Sequence, residues 1–183
     1  MATVEQVRHT PEDLLKITDR PMPELVDGEL LEREMGLKSD SIAATFLFFV
    51  LQFVREHGLG AVNGAQGSYQ IFPDDHDKVR IPDVSFTRKE RLPKDGLPEG
   101  HARFVPDLVI EVTSPNDSVK KLQAKIKDFR AAGVPLIWVA YPETKMVQVH
   151  RRDGSGQLLQ VGDVLEGEDI LPGFRCEVAA LFA

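Results

Sequence analysis

The sequence predicts an α/β fold: a mixed β-sheet flanked by helices and entered through an N-terminal β-hairpin. Two long segments, Ile42 to Phe53 and Val119 to Phe129, carry apolar residues at helical spacing. Short apolar segments bounded by Gly, Pro, Asn and Asp lie before, between and after them. The order is hairpin, helix, several strands, helix, strands, with no internal repeat and no clear linker. One domain over residues 20–183 is expected, preceded by a polar extension over 1–19.

Each element has a local reason. Thr10-Pro11-Glu12-Asp13 reads as a helix start, with Pro11 in the first turn. Leu25-Val26-Asp27-Gly28-Glu29-Leu30-Leu31 reads as a hairpin, because Asp-Gly supplies the positive φ angles of a tight turn. A helix then runs through Ile42, Phe46, Phe49, Val50 and Phe53, with Ser39 or Asp40 as its cap and Gly58 as its close. Strands are expected at Ser68 to Phe72, Val79 to Thr87 and Asp107 to Thr113, separated by polar or Pro/Gly-rich loops. Asp117 can cap a second helix that reaches about Ala132, where Gly133 stops it. Leu136 to Tyr141 and Met146 to Arg151 read as a strand pair, Gln157 to Val161 as a further strand, and Leu171 to Phe182 as a short apolar tail.

Composition narrows the function. Across 183 residues, 22 basic side chains against 29 acidic ones give a formal charge of −7. Such a chain is not built for broad, non-specific binding to nucleic acid, which relies on many Lys and Arg contacts to phosphate. Clustered acids still suit a divalent cation, which reverses the local field. One cysteine, Cys176, excludes an internal disulfide and a cysteine zinc site, and it suits a reducing cytoplasm. The N-terminus lacks the pattern of a signal peptide. The apolar run from Ile42 to Val54 falls short of the roughly 20 residues that span a bilayer, so a buried helix and no membrane partner are expected.

The chemistry concentrates on two strands. Side chains alternate between faces along a strand. Asp83, Ser85 and Thr87 share one face, with Val84 and Phe86 on the other. Asp107, Val109, Glu111 and Thr113 share a face opposite Leu108, Ile110 and Val112. If the strands are neighbours in register, Asp83 and Glu111 meet. Two such carboxylates repel unless a cation or a proton sits between them, and oxygen ligands of this kind suit Mg²⁺ or Mn²⁺. An acid on a strand face is ordinarily solvated surface. Asp107, which follows Pro106, fits that reading best, and Glu111, inside an apolar segment, fits it worst. On the second helix, Val119, Leu122, Ile126 and Phe129 form an apolar stripe. Lys125 lies beside the stripe, Gln123 flanks its other side, and Lys120, Lys121 and Lys127 point further outward. A lysine at such an edge can bury its stem and deliver its ammonium to a site at the sheet, although an ordinary solvated lysine fits the same position. The histidines His57, His76, His101 and His150 show no metal spacing and read as surface or loop residues. Ser114 lacks the setting of a nucleophile, and Cys176 reads as core.

These residues carry a resemblance. The segments Ile81-Pro82-Asp83-Val84-Ser85-Phe86 and Pro106-Asp107-Leu108-Val109-Ile110-Glu111-Val112-Thr113-Ser114-Pro115 resemble the Uma-type restriction-endonuclease family of the PD-(D/E)xK nuclease superfamily. The likeness continues through Lys125 to Pro135, Ile137 to Pro142, the Glu24 to Leu30 hairpin and Leu171-Pro172-Gly173-Phe174, covering about residues 20–182. It implies a restriction-endonuclease-like sheet with the motif strands at its centre. By position it implies Asp83 and Glu111 as metal ligands together with the backbone carbonyl of Val112, Mg²⁺ or Mn²⁺ as the cofactor, and Lys125 as the catalytic lysine. The superfamily usually places that lysine two residues after the glutamate, where this chain has Thr113, so the plain motif is broken and the base is implied to stand on the helix. Phe129 stands where the family often has tyrosine, and Glu24 matches an acid of the hairpin. The implied function is metal-dependent hydrolysis of DNA phosphodiester bonds. The alternative is a catalytically silent nuclease-like module for binding or regulation. Paired sites that cut both strands of a duplex suggest a homo-oligomer.

Overall fold

In the computed structural model, residues 8–18, 21–33, 36–115 and 118–183 are described. The first helix, α1 (Pro11–Leu15), starts on Thr10. The Thr10 hydroxyl accepts the Asp13 N–H, and the Asp13 carboxylate accepts the Thr10 N–H in return. The strands β1 (Glu24–Val26) and β2 (Glu29–Leu31) pair as the expected hairpin, with Asp27 at φ 54° and Gly28 at φ 80° in its turn. Leu14 of α1 packs with Leu25, Val79 and Ile81, so the early segment joins the body of the fold. The boundary expected between residues 19 and 20 falls outside the described residues, as does the cap expected at Asp117.

The helix α2 (Leu37–His57) begins at Gly36. Ser39 and Asp40 therefore lie inside it and are not its cap. The Ser39 hydroxyl is turned inward instead, donating to the Thr113 carbonyl and pairing with Ser114 Oγ. Gly58, at φ 63°, closes the helix as expected. The expectation of a buried helix holds on one face only. Phe46, Val50 and Val54 sit in the core, whereas Leu37 and Phe48 are exposed. With its flanks, α2 is long and apolar enough to cross a membrane by length and composition, longer than the apolar run alone suggested.

Six strands form the main sheet in the order β3 (Gly60–Asn63), β4 (Val84–Arg88), β5 (Leu108–Val112), β6 (Leu136–Tyr141), β7 (Met146–Arg151) and β8 (Gly156–Leu159). β5 and β6 are parallel, joined by the crossover helix α3 (Val119–Ala131), and every other neighbouring pair is antiparallel. A second ribbon, β9 (Val164–Glu166) with β10 (Arg175–Glu177), and the short helix α4 (Val178–Leu181) complete the chain. Leu108, Ile110, Trp138 and Ala140 face α2 and the C-terminal elements, while Val109, Ile137 and Val139 face Ile126 and Phe129 of α3. The sheet is thus covered on both sides.

Two expectations change. The expected strand over Ser68 to Phe72 is reduced to isolated bridges, Tyr69 with Arg80 and Tyr69 with Ala102. The expected strand over Val79 to Thr87 is divided: Val79 and Arg80 make single bridges, and β4 starts only at Val84. Pro82 has no N–H to give a ladder, which places the break just before Asp83. The edge strand β3 was not legible, because Gly60-Ala61-Val62-Asn63 offers one β-branched residue and a leading glycine. That glycine is there for space. A Cβ on Gly60 would lie 2.0 Å from the Thr87 carbonyl oxygen. Gly60→Ala is therefore expected to push β3 off β4 and to cost roughly 2 kcal/mol or more in urea unfolding, in the range of an overpacked interior. An unchanged midpoint would show that the edge relaxes freely.

Candidate active site

The site is assembled where β4, β5, α3 and the hairpin meet. In the β4–β5 register Val84 stands opposite Ile110, and Asp83, just before β4, meets β5 at the Val112 N–H, beside Glu111. Both side chains are buried. Asp83 Oδ2 accepts the Val112 N–H at 2.8 Å, and Oδ1 accepts from the Arg33 guanidinium at 2.9 Å. Arg33 also donates to the Ala65 carbonyl at 2.8 Å.

Lys125 reaches the same place from α3. Its ammonium donates to Glu111 Oε2 at 2.8 Å and to the Ile81 carbonyl at 2.8 Å, and it pairs with Glu24 Oε1 at 2.9 Å. An ammonium has three donors, and all three are satisfied by protein. Glu24 Oε1 also accepts the Ile81 N–H at 2.9 Å, so the Ile81 peptide holds the base and the acid together. Glu24 Oε2 pairs with Arg80 at 2.8 Å, Arg80 grips Asp128 through Nε and Nη2, and Lys78 pairs with Asp128 at 3.0 Å. The sequence placed Lys125 at the edge of an apolar stripe, but the stripe is partly polar. Val119 is exposed, whereas Asp128, on the buried side, anchors the network. Gln123, Lys121 and Lys127 are exposed.

Electrostatics separates the two acids. Burial alone would raise Glu24, but Lys125, Arg80 and the Ile81 N–H outweigh it and hold its carboxyl at about 2. At Glu111 burial wins: desolvation, with Asp83 and Glu24 nearby, pushes its carboxyl up to about 8 against the pull of Lys125. Burial disfavours the charged form of Lys125, yet Glu111, Glu24 and Asp83 together raise it above the ordinary lysine range. Of the two glutamates, burial raises Glu111, whereas the surrounding cations lower Glu24.

The other candidates fall away from this cluster. Asp107 sits at the far end of β5, satisfied by the Arg88 N–H and the Arg91 guanidinium. Thr113 donates to the Ala140 carbonyl. Val112 meets Asp83 through its N–H. His101 is buried rather than a surface histidine, bridging Ser68 and the Pro11 carbonyl. Arg33, Arg80, Lys78 and Asp128 were not singled out from the sequence. Only Asp128, an acid beside Phe129 on the apolar side of a helix, left a readable signal.

A divalent cation fits the donor set in one respect that matters: Glu111 Oε1 is buried with no hydrogen-bond partner. Leaving such an oxygen bare is costly. Among the described residues no group of three or more His, Cys, Asp or Glu side chains forms a ready cage. Two acids completed by backbone oxygen and water are what Mg²⁺ takes, since it dehydrates reluctantly.

A family model described as Uma2, putative restriction endonuclease, matches residues 11–179. No curated protein matches the chain. Among solved structures, a protein from Anabaena variabilis described as a putative nuclease belonging to DUF820 is similar over 94% of this chain and 97% of its own. The TM-score is 0.78 and the identity 19%, a likeness that shows the fold: a mixed sheet flanked by helices, shared along nearly the whole chain.

The shifted acids set a pH dependence. Glu111 has a folded value near 8, above the ordinary 4.5. Its contribution is complete below about pH 4.5 and is lost as pH rises through 8. Glu24 has a folded value near 2. Its contribution is present above about pH 4.5 and is lost as pH falls toward 2. Metal-free stability is therefore expected to decline between pH 5 and 8 in urea titrations with chelator, and Glu111→Gln should flatten the decline. A slope that survives the substitution would place its origin elsewhere.

Proposed function

We infer that this chain, which belongs to the Uma2 family of putative restriction endonucleases, is a metal-dependent endonuclease that hydrolyses DNA phosphodiester bonds. The observation that supports the reading is one buried cluster in which Lys125 holds Glu111 Oε2, Asp83 accepts the Val112 N–H, and Glu111 Oε1 has no hydrogen-bond partner. In this reading Asp83, Glu111 and the Val112 carbonyl hold Mg²⁺ or Mn²⁺. A bound divalent ion supplies Lewis acidity at the scissile phosphate and at the attacking water.

The chain's own residues do the rest. Asp83 is fixed by the Val112 N–H, so its carboxylate has one orientation relative to β5. Glu111 gives up its proton when it serves as a ligand, which makes affinity rise with pH. Lys125 holds a proton at Nζ beside Glu111, where it orients the water or stabilises charge developing on the phosphate. Glu24 and the Ile81 carbonyl aim that ammonium, and Glu24 is a positioning residue in this scheme. Paired protomers acting on a duplex remain the simplest arrangement for cutting both strands.

Two experiments test it. Wild type should nick or linearise plasmid DNA with Mg²⁺ or Mn²⁺ and not with chelator, and Asp83→Asn should abolish the cleavage. Metal binding without cleavage would favour the silent binding-module reading, which the Thr113 departure supports. Lys125→Gln should also abolish cleavage, with exposed Lys121→Gln as a control that changes little. Because the Lys125 side chain is only 11% exposed and bridges two acids, its removal should also destabilise the fold, by about 3 kcal/mol or more as for a broken buried pair. Cleavage at wild-type rates by Lys125→Gln would remove this lysine from the chemistry.

A further inference from the structure

Arg33 is the one cation of the cluster that contacts Asp83 and not the glutamates. It reaches in from the segment after β2, and its side chain is only 8% exposed. One nitrogen is anchored on the Ala65 carbonyl and the other takes Asp83 Oδ1, the oxygen that Val112 leaves open. Among the described residues five carboxylates, of Asp83, Glu111, Glu24, Asp128 and Asp74, meet four cations, of Arg33, Lys125, Arg80 and Lys78. Lys125, Arg80 and Lys78 are each tied to two acids, but among these residues Arg33 is tied to one acid and one carbonyl. A divalent cation entering beside Asp83 brings two positive charges next to the guanidinium that already occupies Oδ1. The charge most readily displaced is the guanidinium held by a single ion pair.

We propose that Arg33 is a tethered competitor that occupies the cation's place on Asp83, so that metal binds only as the guanidinium leaves Oδ1, and Arg33 thereby sets the affinity of the site. The inference rests on the metal-site reading above. Neutralising Arg33 removes both the competitor and a like charge, and either effect alone strengthens the attraction in a site of low dielectric.

The test is isothermal titration of the full chain with Mn²⁺ at one fixed pH, for wild type, Arg33→Gln, Arg33→Lys and Asp83→Asn. The expected result is that Arg33→Gln binds about tenfold more tightly or better. Arg33→Lys should stay near wild type, and Asp83→Asn should lose binding. A second measurement needs no variant: the guanidinium ¹⁵N signals of Arg33 in wild type should shift with Mg²⁺ over the concentration range in which the metal binds. Binding by wild type that Asp83→Asn abolishes, with Arg33→Gln no tighter and the Arg33 signals unmoved, would overturn the competitor and leave the metal site standing. Absence of binding in both wild type and Arg33→Gln, or binding indifferent to Asp83→Asn, would overturn the metal-site reading and this inference with it.

Discussion

Lys125 gives all three of its ammonium donors to protein, and two of the acceptors are buried carboxylates on different elements. A buried ammonium costs several kcal/mol unless it is fully paired. Its presence therefore constrains everything around it. The hairpin must bring Glu24 across, β5 must present Glu111, and the Ile81 peptide must turn both its N–H and its carbonyl toward the same point. The second tier, Arg80 between Glu24 and Asp128, ties the hairpin to α3 by the same electrostatic demand.

The sheet supplies the rigid frame for that cluster. β5 is buried along its whole length and paired on both sides, antiparallel to β4 and parallel to β6. Its apolar face is taken up by the core under α2, so the acid-bearing face meets α3. The break at Pro82 frees Asp83 from the ladder just before β4 starts, leaving its carboxylate to accept from Val112 and Arg33. Glu111 is left with one satisfied oxygen and one bare one. Burial raises Glu111, whereas Lys125 together with Arg80 and the Ile81 N–H lowers Glu24, although both acids touch the same lysine.

Much of this was legible along the chain. Period-two alternation assigned Asp83 and Glu111 to the polar faces of their strands, and the Asp27-Gly28 turn and the limits of β6 and β7 followed from local residue preferences. The reading was weaker where an outcome depends on a distant partner. Ser39 looked like a helix cap, yet its hydroxyl is used by Thr113 and Ser114, far along the chain. Val119 looked like core because it continues the stripe, yet the residue is exposed. His101 looked like a surface or loop residue, yet it is buried within its loop, held by partners, Ser68 and Pro11, that are remote in sequence.

By itself the sequence determined the N-terminal hairpin, the two long helices and the two faces of β5, since these follow from side-chain periodicity and turn chemistry over a few neighbouring positions. Only the tertiary structure decided which charges meet. A lysine on a helix edge is solvated or buried according to what lies opposite it. Here that is Glu24, about a hundred positions earlier, and Glu111, on the preceding strand. Arg33 carries no local sign of its place on Asp83, because a buried ion pair is a property of two surfaces brought together, and local pattern records only one of them.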